Sequence, residues 1–196
     1  MTVLLLAGSP SARSRSAALL DAVQQRLHQR GAHVQRLHIR DLSPQALILA
    51  DFGNRTISHA LGRVAAADVL VVATPVYKAA YSGVLKVFLD LLSQTALAGK
   101  TVLPLATGGS PNHMLALDYA LRPVLQSLGA KHILPGIYAT DAQVTLDAEG
   151  AHVIDADIGA RLDQAVDTLI TETLRPVPAP AGRFAPVPFS RVRCSV

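Results

Sequence analysis

The sequence Thr2-Val-Leu-Leu-Leu-Ala-Gly-Ser-Pro-Ser-Ala-Arg-Ser-Arg-Ser-Ala-Ala-Leu-Leu20 combines an apolar run, a polar loop and the beginning of an amphipathic segment. Val3–Ala7 predicts a short strand that ends at Gly8, and apolar residues at helical spacing predict a helix from about Ser14 to Arg30. Free amides and the helix dipole attract anions to a helix N-terminus. A phosphate site is therefore one interpretation of this loop, and ordinary helix capping by serine is the other.

The loop lacks two common nucleotide-binding patterns. It has no GxxxxGK[ST] pattern, which argues against a nucleoside triphosphatase, and no GxGxxG pattern, which argues against the usual Rossmann contact with a pyrophosphate. Several serines and an arginine around a single turn suit one terminal phosphate monoester, such as that of FMN.

Composition narrows the class of protein. The chain has 196 residues, of which 50% are hydrophobic and 16% charged, which predicts a folded domain with a sizeable core. Its net charge is +4, but the basic residues are scattered and aromatic residues make up only 4%, so we expect no nucleic-acid partner. The single cysteine, Cys194, leaves no internal disulfide, and no apolar run is long enough to predict a membrane span. We expect a cytoplasmic protein.

Strand and helix patterns alternate five times along the chain. Further strands are predicted at 33–41, 68–75, 101–106 and 133–139, with helices at 54–67, 83–92, 112–128 and 157–174 and a polar excursion, which a hairpin would fit, at 140–154. This alternation predicts an α/β fold: a flavodoxin-like, doubly wound, five-stranded parallel sheet of order 2-1-3-4-5 with helices on both faces. Residues 1–174 form the expected domain, and 175–196 a proline-rich C-terminal tail that we expect to be flexible.

Three loops are expected to meet at one edge of this sheet. In a doubly wound sheet, ligands bind beyond the carboxyl ends of the strands, at the point where the strand order reverses. The loops there are Ser9–Ser16, Pro75–Ser82 and Thr107–Asn112, which are also rich in glycine, hydroxyl and aromatic residues. Glycines after Thr107 allow the backbone to approach a flat ring closely, and Pro75-Val-Tyr-Lys78 can border its edge. The alternative interpretation is that Tyr77 and Tyr81 cap the sheet while Lys78 is solvated.

Three segments carry a resemblance to a known family. Gly8-Ser-Pro-Ser-Ala-Arg-Ser-Arg-Ser16, Ala73-Thr-Pro-Val-Tyr-Lys-Ala-Ala-Tyr-Ser-Gly83 and Leu103-Pro-Leu-Ala-Thr-Gly-Gly109 resemble the NAD(P)H-dependent FMN reductases, and in particular the branch that serves two-component alkanesulfonate monooxygenases. The resemblance covers about residues 1–174. It implies a flavodoxin-like fold, hydride transfer from NADPH (or NADH) to FMN, and delivery of reduced FMN to a flavin-dependent monooxygenase in sulfur assimilation. It also implies a homo-oligomer, either a dimer or a tetramer.

The resemblance further implies which residues bind FMN. Matching the motifs residue by residue places one set of residues at the FMN phosphate and two sets at the isoalloxazine ring. The residues expected at the phosphate are Ser9, Ser14, Arg15 and Ser16. The ring is bordered by Pro75, Val76, Tyr77 and Lys78 on one side and by Thr107, Gly108 and Gly109 on the other. Hydride transfer between stacked rings needs no protein acid or base, so we assign no catalytic side chain.

Pro123 lies inside an otherwise regular helical pattern. It cannot donate a hydrogen bond to the Tyr119 carbonyl, and its ring crowds that carbonyl. A kink or π-bulge around Tyr119 is therefore predicted, the alternative being a plain proline kink between two short helices. In the resembled branch this helix packs between subunits, which implies that Tyr119 influences flavin retention through oligomer contacts.

The sequence is also compatible with two other functions. One is an enzyme that retains FMN and reduces a quinone or azo compound. The other is a non-enzymatic, flavodoxin-like electron carrier, although such carriers usually present an acidic face and this chain has a net positive charge.

Overall fold

The computed structural model describes residues 1–147, 149 and 151–174. The elements in chain order are β1 (Thr2–Ala7), α1 (Arg15–Gln29), β2 (His33–His38), α2 (Pro44–Ile48), α3 (Arg55–Ala66), β3 (Val69–Tyr77), β4 (Ala80–Tyr81), α4 (Gly83–Leu89), β5 (Thr101–Gly108), α5 (Arg122–Ser127), β6 (His132–Ile133), β7 (Ile137–Thr140), β8 (Val144–Leu146), β9 (His152–Ile154) and α6 (Ala156–Leu174). The predicted proline-rich tail, 175–196, lies outside the described residues.

The central sheet is parallel and has the predicted order. β2 pairs with β1, β1 with β3, and β3 with β5, while β6 and β7 both pair with β5 in the last position. β1 and β3 are buried along almost their whole length, as expected for apolar strands covered on both faces. This arrangement confirms the flavodoxin-like, doubly wound fold.

Helices cover both faces of the sheet. Alternate side chains of β1 point to opposite sides, so that Leu4 and Leu6 join one buried cluster while Val3 and Leu5 join the other. The first cluster packs against α3, α4 and α5, and the second against α1 and α6. Both clusters end at the carboxyl edge of the sheet, where the three predicted site loops emerge.

The prediction of five strands is wrong in detail, because the sheet contains seven in the part of the chain that the structure describes. The fifth position is divided into β6 and β7, since Pro135 between them has no N–H to donate. A seventh strand, β4, pairs antiparallel with the end of β3. The prediction that Pro75 ends the third strand is also wrong, because β3 continues through Val76 and Tyr77, which pair with β4.

The single helix predicted at 112–128 is replaced by three consecutive segments. A 3₁₀ helix at Pro111–Leu115 is followed by a π-helix at Leu117–Leu121 and then by α5. The Arg122 N–H bonds to the Leu117 carbonyl, five residues back. The predicted π-bulge around Tyr119 is therefore confirmed.

Two further findings concern the rest of the described chain. The excursion at 140–154 contains the antiparallel hairpin β8–β9, which agrees with the hairpin interpretation. No helix among the described residues is long and apolar enough to cross a membrane, and the described residues contain no cluster of three or more potential metal-binding side chains.

Candidate functional site

The three loops meet around one cavity of about 250 Å³ at the carboxyl edge of the sheet. Nine of the eleven predicted binding residues line it, together with three residues that were not predicted. The nine are Ser9, Ser14, Arg15, Pro75, Val76, Tyr77, Thr107, Gly108 and Gly109, and the three are Ser11, Arg13 and Asp141. Ser16 and Lys78 do not line the cavity.

The protein has a larger cavity, of about 730 Å³, between β2 and α3. Arginines line it, but two of them are engaged elsewhere. Arg63 donates to the Gln35 side chain and the Arg36 carbonyl, and the Arg36 guanidinium turns toward Asp21 and the Ala17 carbonyl on α1. This groove contains none of the predicted binding residues, so the smaller cavity is the better candidate site.

Residues 9–16 form one end of the cavity, which we call the phosphate end. Ser9 and Ser16 are buried, and the hydroxyls of Ser14 and Ser16 lie 2.8 Å apart. Ser14 precedes α1 but makes no side-chain capping bond to it. The amides in the first turn of α1 have no partners within the helix and are available to an anion. Ser16 does not itself line the cavity, but its hydroxyl contacts the hydroxyl of Ser14, which does.

Gly8 sets how closely the phosphate end approaches the sheet. Its N–H donates to the Ala73 carbonyl at 2.8 Å and so continues the pairing of β1 with β3. A Cβ at this position would lie 3.0 Å from the Leu85 Cβ and 3.1 Å from the Ala73 oxygen. Only glycine fits here without displacing backbone or α4.

Arg15 is held by the segment that follows β7. Its Nε donates to the Val144 carbonyl at 2.9 Å, and its Nη1 lies 3.5 Å from an Asp141 carboxylate oxygen. The guanidinium therefore lies at the rim of the phosphate end, with part of its hydrogen-bonding capacity already engaged.

Residues 75–77 and 107–109 form the other part of the cavity lining, which we call the ring end. Tyr77 is half exposed there. Lys78 and Ala79 have φ angles of 51° and 63°, which form the tight turn between β3 and β4. This turn directs Lys78 away from the cavity lining, which fits the interpretation of Lys78 as a solvated residue.

Ser82 joins the two ends. Its N–H donates to the Thr74 hydroxyl at 3.0 Å, and its own buried hydroxyl donates a short hydrogen bond to the Gly8 carbonyl. The same hydroxyl accepts from the Leu85 N–H at 3.1 Å and thereby caps α4. One side chain thus fixes the first loop relative to the second.

Gly108 lies against Tyr138 of β7. A Cβ on Gly108 would lie 2.7 Å from the Tyr138 hydroxyl oxygen, which itself donates to the Ser110 carbonyl at 2.6 Å. Burial, followed by the charge of Asp141, raises the pKa of Tyr138, so its hydroxyl remains a donor at neutral pH. At Gly109, by contrast, the nearest atom to a Cβ is an Asp141 oxygen at 3.7 Å, which leaves that backbone open toward the cavity.

The residues that sequence reasoning did not select have two origins. Ser11 and Arg13 belong to the loop that was singled out, but the matched motifs did not include them among the binding residues. Asp141 lies at the carboxyl end of the last strand position, more than a hundred residues from the phosphate end. The loop after the fifth strand position also lies at the carboxyl edge of the sheet. The rule that ligands bind beyond strand ends therefore points to Asp141 as well.

The cavity fits FMN chemically. Hydroxyls, an arginine and uncapped helix amides suit a phosphate monoester, and the open backbone at Gly109 beside Tyr77 suits a flat aromatic ring. FMN when bound supplies the ring that accepts hydride.

Comparisons with known proteins show what the chain is similar to. Residues 1–145 match the family model described as NADPH-dependent FMN reductase. An FMN reductase (NADPH) of Pseudomonas putida is 47% identical over 186 residues, covering 93% of each chain. An FMN reductase (NADPH) of Escherichia coli is 45% identical, covering 86% of this chain and 87% of its own. The crystal structure of an NADH:FMN oxidoreductase, 41% identical, covers 87% of this chain and 89% of its own with a TM-score of 0.79.

Proposed function

The chain belongs to the family of NADPH-dependent FMN reductases, and from this membership we propose that it uses FMN as an exchanging substrate and delivers reduced FMN to a flavin-dependent monooxygenase of the alkanesulfonate type. The protein is an NAD(P)H-dependent FMN oxidoreductase. The observation that carries the proposed site is the meeting of nine predicted residues, from three distant loops, around one cavity.

At the phosphate end, the proposed role of the chain is to bind an anion. The first-turn amides of α1 and the Ser14 hydroxyl donate to the phosphate, and Arg15 adds a positive charge at the rim. The buried Ser16 hydroxyl, 2.8 Å from Ser14, orients the Ser14 hydroxyl. Charge-assisted hydrogen bonds of this kind are the strong ones, so this end contributes most of the preference for FMN over riboflavin.

At the ring end, the proposed role of the chain is alignment. Pro75, Val76 and Tyr77 form one wall, and the backbone at Gly108 and Gly109 forms the other. The chain needs no acid or base for hydride transfer between two stacked rings, because positioning and a suitable electrostatic environment are sufficient. We therefore propose no catalytic side chain.

We propose that the active form is a homo-oligomer built through the 3₁₀ helix at Pro111–Leu115 and the π-helix at Leu117–Leu121. Met114, Leu115 and Tyr119 are exposed by 57%, 51% and 79%. Three large apolar side chains this close together on the surface are typical of a contact with another protein. A second copy of this chain is the proposed occupant, and a cytoplasmic location fits the single cysteine of the sequence.

Steady-state kinetics and gel filtration test the function together. NADPH oxidation should saturate with added FMN, and the protein should leave the column without stoichiometric flavin. NADH assayed in parallel gives the coenzyme preference. Flavin that stays bound on the column, together with rapid quinone reduction, would instead favour the quinone or azo reductase. If none of the acceptors supported NADPH oxidation, both enzymatic functions would be contradicted.

A second assay tests the delivery step. The reductase and an alkanesulfonate monooxygenase are supplied with NADPH and catalytic FMN, and sulfite release is measured. Sulfite should form only when both proteins are present. The proposed delivery would be contradicted if the monooxygenase released sulfite with chemically reduced FMN but released none when the reductase, NADPH and FMN were supplied instead.

A further inference from the structure

A carboxylate stands inside a cavity that is otherwise built for an anion. Asp141 lines the cavity beside Arg15, with 3.5 Å between its carboxylate oxygen and Arg15 Nη1. The two side chains are 47% and 41% exposed, so water screens each charge in part. A negative charge at this place opposes the binding of a phosphate.

The backbone holds the carboxylate in position. The Asp141 N–H donates to the Gly108 carbonyl at 3.1 Å, in continuation of the pairing between β5 and β7. The carboxylate also lies against Gly109, 3.7 Å from where a Cβ on that residue would be. The Asp141 carboxylate therefore lies near one residue of each end, Arg15 of the phosphate end and Gly109 of the ring end.

Arg15 is drawn toward Asp141 and away from a purely phosphate-binding role. The guanidinium uses Nε for the Val144 carbonyl and Nη1 for Asp141, so both contacts are to the segment 141–144. A bound phosphate must share this arginine with a carboxylate that is already in place. The neighbouring charge lowers the positive potential that the phosphate would experience.

We propose that Asp141 is an affinity-setting residue that weakens the binding of the flavin phosphate and thereby keeps FMN exchangeable. It acts directly, by repelling the phosphate dianion, and through Arg15, by competing for its guanidinium. The inference rests on the proposed function, because it explains how the same site can bind FMN and still release it. It concerns the phosphate alone and not the ring.

The test is the dissociation constant of FMN and of riboflavin, measured by flavin fluorescence for the wild type and for Asp141→Asn. Asparagine keeps the size and an oxygen for Arg15 but removes the charge. FMN should bind about tenfold more tightly, while riboflavin, which lacks the phosphate, should bind as in the wild type. Asp141→Ala should give the same selective gain, which provides a second variant with a different steric effect.

Two controls separate charge from structure. Asp141→Glu keeps the charge and should keep the wild-type affinity for FMN. Asp163→Asn removes the carboxylate of a comparable ion pair, with Arg26 at 2.9 Å, far from the cavity lining, and should leave both affinities unchanged.

Three results would overturn the proposal: unchanged or weaker FMN binding in Asp141→Asn and Asp141→Ala, an equal change for riboflavin, or the same gain in Asp141→Glu. These results are distinct from failure of the proposed function, which NADPH oxidation by the wild-type protein reports independently.

Discussion

The phosphate end and the ring end of the cavity are built from different parts of the chain. The phosphate end consists of side-chain hydroxyls, charges and the first amides of α1 on one continuous segment, residues 9–16. The ring end consists of Pro75–Tyr77 on β3 and of Gly108 and Gly109 at the end of the neighbouring strand β5, where backbone is exposed in place of side chains. The first end can therefore be weakened by removing functional groups, whereas the second is damaged by adding atoms.

The largest effect is expected from removing the phosphate end. The combined substitution Ser14→Ala, Arg15→Ala and Ser16→Ala should weaken FMN binding about a hundredfold, because it removes a charge and a donor from the phosphate. Riboflavin binding, measured in the same fluorescence titration, should change little. Fold stability should be largely retained, since the Ser14–Ser16 hydrogen bond loses both partners together. Unchanged FMN affinity would mean that the phosphate binds elsewhere.

The next effect tests the ring end by adding one methyl group. Gly108→Ala places a Cβ 2.7 Å from the Tyr138 hydroxyl, which is held by the Ser110 carbonyl. We expect a loss of about 1–3 kcal/mol in the free energy of unfolding, as for overpacking of a core, measured by chemical denaturation.

Two variants control this prediction. Gly109→Ala, where the nearest atom is at 3.7 Å, should keep wild-type stability. Adding Tyr138→Phe to Gly108→Ala removes the oxygen that the methyl group meets and should restore part of the lost stability. Equal stability of Gly108→Ala and Gly109→Ala would contradict the close approach at Gly108.

A smaller effect is expected at the residue that joins the two ends. Ser82→Ala leaves the Gly8 carbonyl and the Leu85 N–H without their partner at a buried position, which should cost about 1–2 kcal/mol of unfolding free energy. Ser127→Ala also removes one hydroxyl hydrogen bond, to the Val124 carbonyl, but at an exposed position, and should change stability by less than about 0.5 kcal/mol. Matching losses in the two variants would show that Ser82 does not join the ends.

The smallest effect lies outside both ends, where α1 is tied to α6. The hydrogen bond from Arg26, helped by the charges of Arg26 and Arg30, lowers the pKa of Asp163. The folded state therefore gains stability above the ordinary carboxyl pKa and loses it as the pH falls through the lowered value. Because the Asp163 side chain is half exposed, the gain should be below about 1 kcal/mol. Asp163→Asn should be less stable than the wild type at pH 7 and equally stable near pH 2; a difference that persists in acid would contradict this origin.

The contrast between the ends also explains what the sequence could predict. Ser9–Ser16 follows an apolar run and opens a helix, so the local pattern predicted an anion site there, with ordinary helix capping as the alternative. The π-helix was predictable as well, because Pro123 cannot bond to the Tyr119 carbonyl, whatever surrounds it. The five positions of the parallel sheet were also predictable, because apolar strand segments alternate with helical segments along the sequence.

Features that depend on tertiary packing could not be predicted in this way. Lys78 leaves the cavity because it lies in a tight turn between β3 and β4, and β4 is only two residues long. The fifth strand is interrupted at Pro135 and Gly136, where a Cβ on Gly136 would lie 2.8 Å from the Leu117 side chain. Asp141 reaches the cavity only because β7 pairs with β5. Pro135 itself is a local signal for a break in a strand, but none of the tertiary contacts has a local sequence signature.

A crystal structure of the protein with FMN bound tests the proposed site most directly. The phosphate should lie within hydrogen-bonding distance of the Ser14 hydroxyl and the first-turn amides of α1, and the ring should lie between Pro75–Tyr77 and Gly108–Gly109. A phosphate bound away from residues 9–16, or a flavin in the groove between β2 and α3, would contradict the site.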